Sequence, residues 1–184
     1  MTFELRLKFP KPMMVTRTWA REYDPELDDV GSLLRDVCDA LESGGASFVV
    51  RICSDTVWPV TVRTDLMVVL EQLAAVLAAL ANRQPAKLEF YEQGIEKVVS
   101  LVPHRQVVLV ECSDLIKQPS SEVVSATVDR VTVLDELCLL SSEFLSGSKA
   151  CCGNLTGHPW FVAFADELRR NARLARASRF TPWP

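Results

Sequence analysis

The segment from Lys87 to Cys112 constrains the fold most, because it contains three short β-type runs joined by turns. The runs are predicted at 87–92, 95–102 and 106–112, separated by turns at Gln93-Gly94 and Pro103-His104. Connections this short leave no room for a crossover helix, so successive strands must pair antiparallel. Helix-type segments with one apolar side flank this region, which favours an α+β fold.

Two more strands and four helices are predicted outside this region. The first strand alternates apolar and charged residues from Phe3 to Phe9, and a second is expected at Ser47–Cys53. Helices are expected at about Asp28–Glu42, from a cap at Thr64 to Leu80, at about Asp129–Leu145, and from Pro159 onward. The prediction is an antiparallel sheet of about five to six strands, with three to four helices packed mainly on one face.

Length and composition favour one soluble domain spanning residues 1–184. The chain has 184 residues, of which 48% are hydrophobic and 24% charged, as in ordinary globular proteins. The apolar stretch Leu66–Ala81 is interrupted by Glu71 and Gln72 and is too short for a membrane span, so it is expected to be a core helix. The N-terminus lacks the apolar region of a signal peptide, which predicts a cytoplasmic protein without a membrane partner.

The cysteines are expected to be buried thiols. Four of the six lie inside apolar helix or strand patterns, namely Cys38, Cys53, Cys112 and Cys138. Cys151-Cys152 with His158 is the strongest metal-ligand pattern, but adjacent cysteines do not easily face one tetrahedral ion. No metal or cofactor is therefore expected.

The chain carries no recognisable catalytic motif. Its two histidines, His104 and His158, lie in a predicted turn and before a helix-starting proline, which is typical of surface residues. The five arginines between Arg169 and Arg179 suit the C-terminal end of a helix, and the chain is acidic overall. We therefore expect neither an enzyme nor a nucleic-acid-binding protein.

Charge is distributed unevenly along the chain. Eight acids lie between Arg21 and Glu42, namely Glu22, Asp24, Glu26, Asp28, Asp29, Asp36, Asp39 and Glu42, against two arginines. The segment Met13–Leu27 has no clear periodicity and carries Trp19 and Tyr23, which predicts a surface loop with aromatic residues among acids. Such a loop is suited to capturing a basic partner.

A resemblance points in the same direction. The run Leu88-Glu89-Phe90-Tyr91-Glu92-Gln93-Gly94-Ile95-Glu96, the apolar strands up to Cys112 and the helix start His158-Pro159-Trp160-Phe161 resemble a group of small bacterial proteins. Some of these are similar to immunity proteins of polymorphic or contact-dependent toxin systems. The resemblance covers roughly the C-terminal half and implies a non-enzymatic protein that neutralises a cognate toxin by steric occlusion.

Two surfaces are candidates for partner binding. The first contains Trp19, Glu22, Tyr23, Asp24, Glu26, Asp28 and Asp29, and the second contains Glu89, Tyr91, Glu92 and Glu96. Two alternatives stay open. One is a homo-oligomeric scaffold, such as a homodimer, that uses Trp58, Trp160 and Trp183. The other is an enzyme of unrecognised type that gathers His104 or His158 with carboxylates.

Overall fold

The computed structural model describes residues 2–10, 21–91, 95–115 and 123–179, and these form an α+β fold as predicted. The strands are β1 (Phe3–Lys8), β2 (Ser47–Ile52), β3 (Ala86–Phe90), β4 (Lys97–His104), β5 (Val107–Asp114) and β6 (Val124–Asp129). The helices are α1 (Val30–Ser43), α2 (Met67–Ala81), α3 (Arg130–Cys151), α4 (Gly153–Thr156) and α5 (Pro159–Ser178). A π-helical turn, Val62–Leu66, leads directly into α2.

The strands pair antiparallel, as the short turns predict, and they form two sheets in the described part of the chain. In the first sheet β1 pairs with β2, with Phe3 opposite Ile52. In the second, β3, β4, β5 and β6 follow one another as a meander. The chain leaves the first sheet at Cys53, whose left-handed backbone (φ 61°) turns it away from the direction of β2.

One hydrophobic core joins the two sheets to the helices. The buried side chains of both sheets belong to the same cluster as those of α1, α2, α3 and α5. The alternate residues of the four-stranded sheet, including Ser125 and Thr127, are exposed or half-buried on its outer face. The helices therefore pack mainly on one face of this sheet, as predicted.

Two helix boundaries differ from the predicted ones. The side chain of Thr61, and not that of Thr64, caps the helical segment before α2, since its hydroxyl accepts from the Thr64 N–H at 3.3 Å. Helix α3 continues six residues beyond the predicted end at Leu145. It continues through Gly147, where the ring of Phe9 occupies the space that a Cβ would need: the Phe9 Cζ is 2.2 Å from the ideal Cβ position.

The core helix and the cysteines follow the prediction. The segment Val62–Ala81 is long and apolar enough to cross a membrane, but 67% of its most apolar window is buried inside the fold. All six cysteines are buried. The Sγ atoms of Cys53 and Cys112 lie 3.4 Å apart where the two sheets meet.

Candidate functional site

The acidic loop before α1 is a compact turn with defined hydrogen bonds. The Asp24 carbonyl accepts from the backbone N–H groups of Leu27 (3.0 Å) and Asp28 (2.7 Å). Its carboxylate accepts from the Glu26 N–H at 2.9 Å, while the Asp28 carboxylate accepts from the Asp24 N–H at 3.1 Å. These bonds fix the backbone of the turn locally, as Asp side chains commonly do.

Two side chains fasten this turn to the body of the protein. The Arg21 guanidinium forms ion pairs with Asp28 and Asp36, and it lies 5.1 Å from the centroid of the Tyr23 ring. The Tyr23 hydroxyl donates to Asp36 Oδ2 at 2.8 Å. Burial and then this hydrogen bond raise the pKa of the Tyr23 hydroxyl above its ordinary value, so it stays protonated as a donor.

The Tyr23 ring packs against the start of α5. Its centroid is 5.1 Å from that of His158 and 5.9 Å from that of Trp160, in edge-on or tilted contacts. His158 caps α5, with its Nδ1 accepting from the Trp160 N–H at 3.3 Å. Tyr23 therefore holds the loop against the start of α5, whereas the sequence suggested it as an anchor for a partner. Trp19, the other suggested anchor, lies outside the described residues.

The outer side of the loop carries unpaired acids and one apolar side chain. Glu22, Asp24 and Glu26 are exposed, and none of the three forms an ion pair with a described residue. Among them, Leu27 is 85% exposed, the largest value of any large hydrophobic residue in the described ranges. Asp28 is half-buried against Arg21, so it shapes the loop more than it offers charge.

Asp29 has a structural role at the beginning of α1. Its Oδ1 accepts from the Ser32 N–H at 3.0 Å, which satisfies one of the free N–H groups of the first helical turn. A carboxylate here also complements the positive end of the helix dipole. Replacing Asp29 would therefore perturb folding as well as surface charge.

Glu71 of α2 connects the first turn of α1 with the second predicted surface. One of its carboxylate oxygens lies 3.0 Å from the ideal Cβ position of Gly31 in the first turn of α1, and the other accepts from the Tyr91 hydroxyl at 3.1 Å. Tyr91 is 47% exposed just after β3. We call the set Glu22, Asp24, Glu26, Leu27, Glu71 and Tyr91 the acidic surface.

The remaining members of the second predicted surface have separate places. Glu89 is half-buried in β3, where its backbone N–H and C=O both bond to the Gln72 side-chain amide at 2.9 Å. Glu96 is exposed immediately before β4 and lines a different cleft. Glu92 lies outside the described residues. Tyr91 is thus connected through Glu71 to the first turn of α1, which follows the acidic loop, and Glu96 lies at the neighbouring cleft.

That cleft of about 700 Å³ opens between the ends of the two sheets. Trp58, 8% exposed, lines one side, and the Lys97 amine lies 5.9 Å from the centroid of its ring. Lys97 also pairs with Asp114 at 3.1 Å, and Asp114 and Cys112 line the same space. The cleft is mostly apolar with a charged margin, which suits a protruding side chain of a partner better than a small charged metabolite.

The two histidines occupy different surroundings. His104 is exposed in the turn between β4 and β5, whereas half-buried His158 borders a cleft of about 460 Å³ together with Arg21 and Glu22. No group of three or more His, Cys, Asp or Glu side chains in the described ranges is arranged to hold a metal ion. His158 uses Nδ1 in capping α5, so its position has a structural explanation.

Two residues of the acidic surface were not singled out by sequence reasoning. Leu27 is the last residue of the segment without periodicity, and only the tertiary structure shows that its side chain points to solvent. Glu71 did leave a signal, because a carboxylate within the apolar run Leu66–Ala81 has to reach the surface or a partner. The chain matches no known protein-family model, no curated protein and no solved structure.

Proposed function

We propose that this protein is a cytoplasmic immunity protein that binds a cognate bacterial toxin and neutralises it sterically through the acidic surface. The observation that carries the proposal is the 85% exposure of Leu27 beside acids that form no ion pair with a described residue. An apolar side chain surrounded by charge provides the centre and rim of a protein interface. The acids would face the basic cleft of an enzyme that acts on an anionic substrate.

Electrostatics gives this surface its selectivity. Like-signed charges on Glu22, Asp24, Glu26 and Glu71 add to one another and attract a basic protein from a distance. Attraction of this kind mainly accelerates association, and it weakens when salt screens charges beyond about 8 Å at physiological ionic strength. We therefore expect fast, salt-sensitive capture of a basic partner.

The shape of the loop further supports a binding role. The Asp24 carboxylate, Arg21 and Tyr23 hold the turn before any partner arrives. A loop already in its bound shape loses less conformational entropy on association than a flexible one, so more of the contact energy appears as affinity. Two substitutions that leave this framework intact, at exposed positions, can therefore report on binding alone.

The experiment compares partner capture by three proteins carrying the same tag. Glu22→Lys/Glu26→Lys reverses two exposed acids of the loop and leaves the Asp24 carboxylate in place, and Asp166→Lys/Glu167→Lys makes the same change in net charge on the exposed face of α5. We expect a protein that the wild type and the α5 variant retain at low salt, that high salt releases, and that the loop variant loses. Its toxicity in a growth assay should be suppressed by co-expression of the wild type.

Leu27→Ala tests the centre of the same interface. Against the captured protein we expect dissociation to become roughly 10-fold faster, about 1.4 kcal/mol, with little change in association rate. The loop variant should instead slow association, and more strongly at low salt. Unchanged binding kinetics in both variants, with the wild-type partner in hand, would remove the acidic surface from the proposal. Failure to suppress toxicity would remove the immunity function.

A further inference from the structure

The outer edges of the first sheet are covered by groups from elsewhere in the chain. On β1, the Leu7 N–H donates to the Glu143 carboxylate at 2.8 Å, and the Leu5 backbone bonds to Glu136, two turns earlier on the same face of α3. On β2, the Val50 carbonyl accepts from the Trp58 N–H at 2.9 Å. Coverage of this kind prevents a sheet edge from pairing with another chain.

The second sheet is covered on one edge only. On β3, the amide of Gln72 bonds to both the N–H and the C=O of Glu89. At the opposite edge, β6 pairs with β5 on one side, and no described strand pairs with β6 on its other side. Since the other three edges are occupied, the edge of β6 is the exception among the strands of residues 2–10, 21–91, 95–115 and 123–179.

The register identifies the backbone groups on this open edge. The Arg130 N–H donates to the Gln106 carbonyl at 2.8 Å, one step beyond the paired residues Val107 and Asp129. Hydrogen-bonded and non-hydrogen-bonded pairs alternate along an antiparallel ladder. The backbone groups of Ser125 and Thr127 therefore point away from β5, toward the open edge.

The side chains along β6 do not protect this edge. The run from Val123 to Val128 has no charged residue and no proline, which are the usual devices that stop edge-to-edge pairing. Asp129 at the end of β6 is charged, but its carboxylate caps α3 by accepting from the Val131 N–H at 2.8 Å. Val123 is 59% exposed and Val124 42% exposed. An uncharged, β-branched strand with its backbone groups facing outward is a template for another strand.

A second copy of this chain fits this edge by symmetry and by charge. A two-fold axis at Ala126 would place Ser125 of one copy opposite Thr127 of the other. The outward N–H of each residue would then meet a C=O of the opposite strand. The hydroxyl side chains of Ser125 and Thr127 would also form favourable cross-strand pairs. On the outer face, Asp129 would lie opposite the uncharged Val123 of the second copy, and the next acid, Glu111, is opposite Ser125 in the ladder. Its counterpart in the second copy would be three strands away, roughly 14 Å. At that distance the repulsion is largely screened, since the Debye length is about 8 Å.

We propose that two copies of this protein associate through antiparallel pairing of their β6 strands, which extends the four-stranded sheet across a dimer. One strand from each copy buries less than the roughly 1,000 Å² of a stable interface, so the dimer is weak, with a dissociation constant on the order of 100 µM. This surface does not include the acidic loop, and the inference does not depend on the proposed immunity function.

The test is sedimentation velocity from about 10 to about 500 µM, a range that brackets the expected dissociation constant. We expect the wild type to become dimeric, with hydrogen exchange at the amides of Ser125 and Thr127 slowing as concentration rises. Thr127→Pro removes one outward N–H and leaves the bonds to β5 in place, which edge strands tolerate, and should stay monomeric. Thr127→Val keeps the N–H and should dimerise like the wild type.

A second variant keeps the result interpretable if the proline variant does not fold. Ser125→Lys/Thr127→Lys retains every backbone group but places like charges opposite one another across the two-fold axis. It should be monomeric at low salt and regain dimer at high salt. A wild type that stays monomeric throughout, or dimers that persist equally in the proline and lysine variants, would overturn the proposal.

Discussion

At the scale of single residues, several side chains have roles that depend on one atom or one ring. Phe9 fills the space beside Gly147, the Tyr23 hydroxyl reaches Asp36, and the guanidinium of Arg130, 2% exposed, donates to the Leu80 and Ser178 carbonyls. The positive charge of Arg130 therefore satisfies C-terminal carbonyl groups of both α2 and α5 and complements the negative ends of their helix dipoles. Burial lowers the pKa of Arg130, yet an arginine keeps its charge in proteins.

Gly147→Ala should destabilise the protein, although alanine is normally preferred inside a helix. The ideal Cβ would lie 2.2 Å from Phe9 Cζ, and a rigid ring can avoid it only by moving the end of β1 away from α3. We expect a loss of about 1–3 kcal/mol in the free energy of unfolding, measured by urea denaturation. In a Phe9→Ala background the same substitution should be neutral or stabilising, and an equal loss in both backgrounds would contradict this explanation.

Glu136 should make stability depend on pH. Burial raises the pKa of its carboxyl above the ordinary value, opposed by the Leu5 N–H and Arg6, while Glu4 and Glu143 raise it further. A carboxyl with a raised folded-state pKa stabilises fully below the unfolded value of about 4.3, and loses that contribution as pH rises through the folded value. Relative to Glu136→Gln, the wild type should therefore lose stability as pH rises above the unfolded value of about 4.3. Parallel pH profiles in urea would refute this assignment.

At the scale of secondary-structure elements, helices α2 and α3 do more than bury apolar surface. Gln72 of α2 covers the edge of β3, and Glu143 of α3 covers the edge of β1 while pairing with Arg6 at 2.5 Å. Both polar side chains interrupt otherwise apolar helix faces. Their hydrogen bonds to strand backbones explain those interruptions and limit unwanted strand pairing.

Gln72→Ala should cost about 1–3 kcal/mol, because the N–H and C=O of Glu89 lose their partner in a half-buried site. Urea denaturation gives the magnitude, and light scattering during refolding should rise because a second sheet edge is exposed. Gln84→Ala, at an exposed position just after α2, is the control and should change stability by less than about 0.5 kcal/mol. Equal effects at positions 72 and 84 would show that the edge contact is unimportant.

At the scale of the whole molecule, the two sheets are parts of one packing unit. Helix α3 contacts β1 in the first sheet and both β5 and β6 in the second, and Cys53 contacts Cys112 where the sheets meet. Two charged groups also lie at helix ends, with the Asp29 carboxylate capping the beginning of α1 and Arg176 in the last turn of α5. Both groups complement the helix dipoles.

Because the core is continuous, the protein should unfold in a single step. Trp58 reports on the cleft between the sheets and Trp160 on the start of α5, whereas far-UV circular dichroism reports mainly on the helices. We expect fluorescence and circular dichroism to follow the same urea transition, since coincident transitions by different probes are the mark of two-state unfolding. Two separated midpoints would indicate that the sheets belong to independently folding units.

The sequence itself determined the fold class and most elements, because periodicity and turns are local. Alternation in Phe3–Phe9, the Pro103-His104 turn and the apolar helical faces predicted elements near those observed, whereas the predicted Gln93-Gly94 turn lies outside the described residues. Strand β6 was not predicted separately, and Thr61 replaces Thr64 as the cap because a π-helical turn extends the helical segment toward the N-terminus.

The tertiary structure decided how these elements combine and which acids are available to a partner. The division into two sheets depends on long-range pairing and on the backbone turn at Cys53, neither of which has a local pattern. The exposure of Leu27, the support from Tyr23 and the link through Glu71 likewise depend on residues far apart in sequence. Sequence composition placed the negative charge, whereas burial and hydrogen bonding determined which carboxylates are used within the fold and which face solvent.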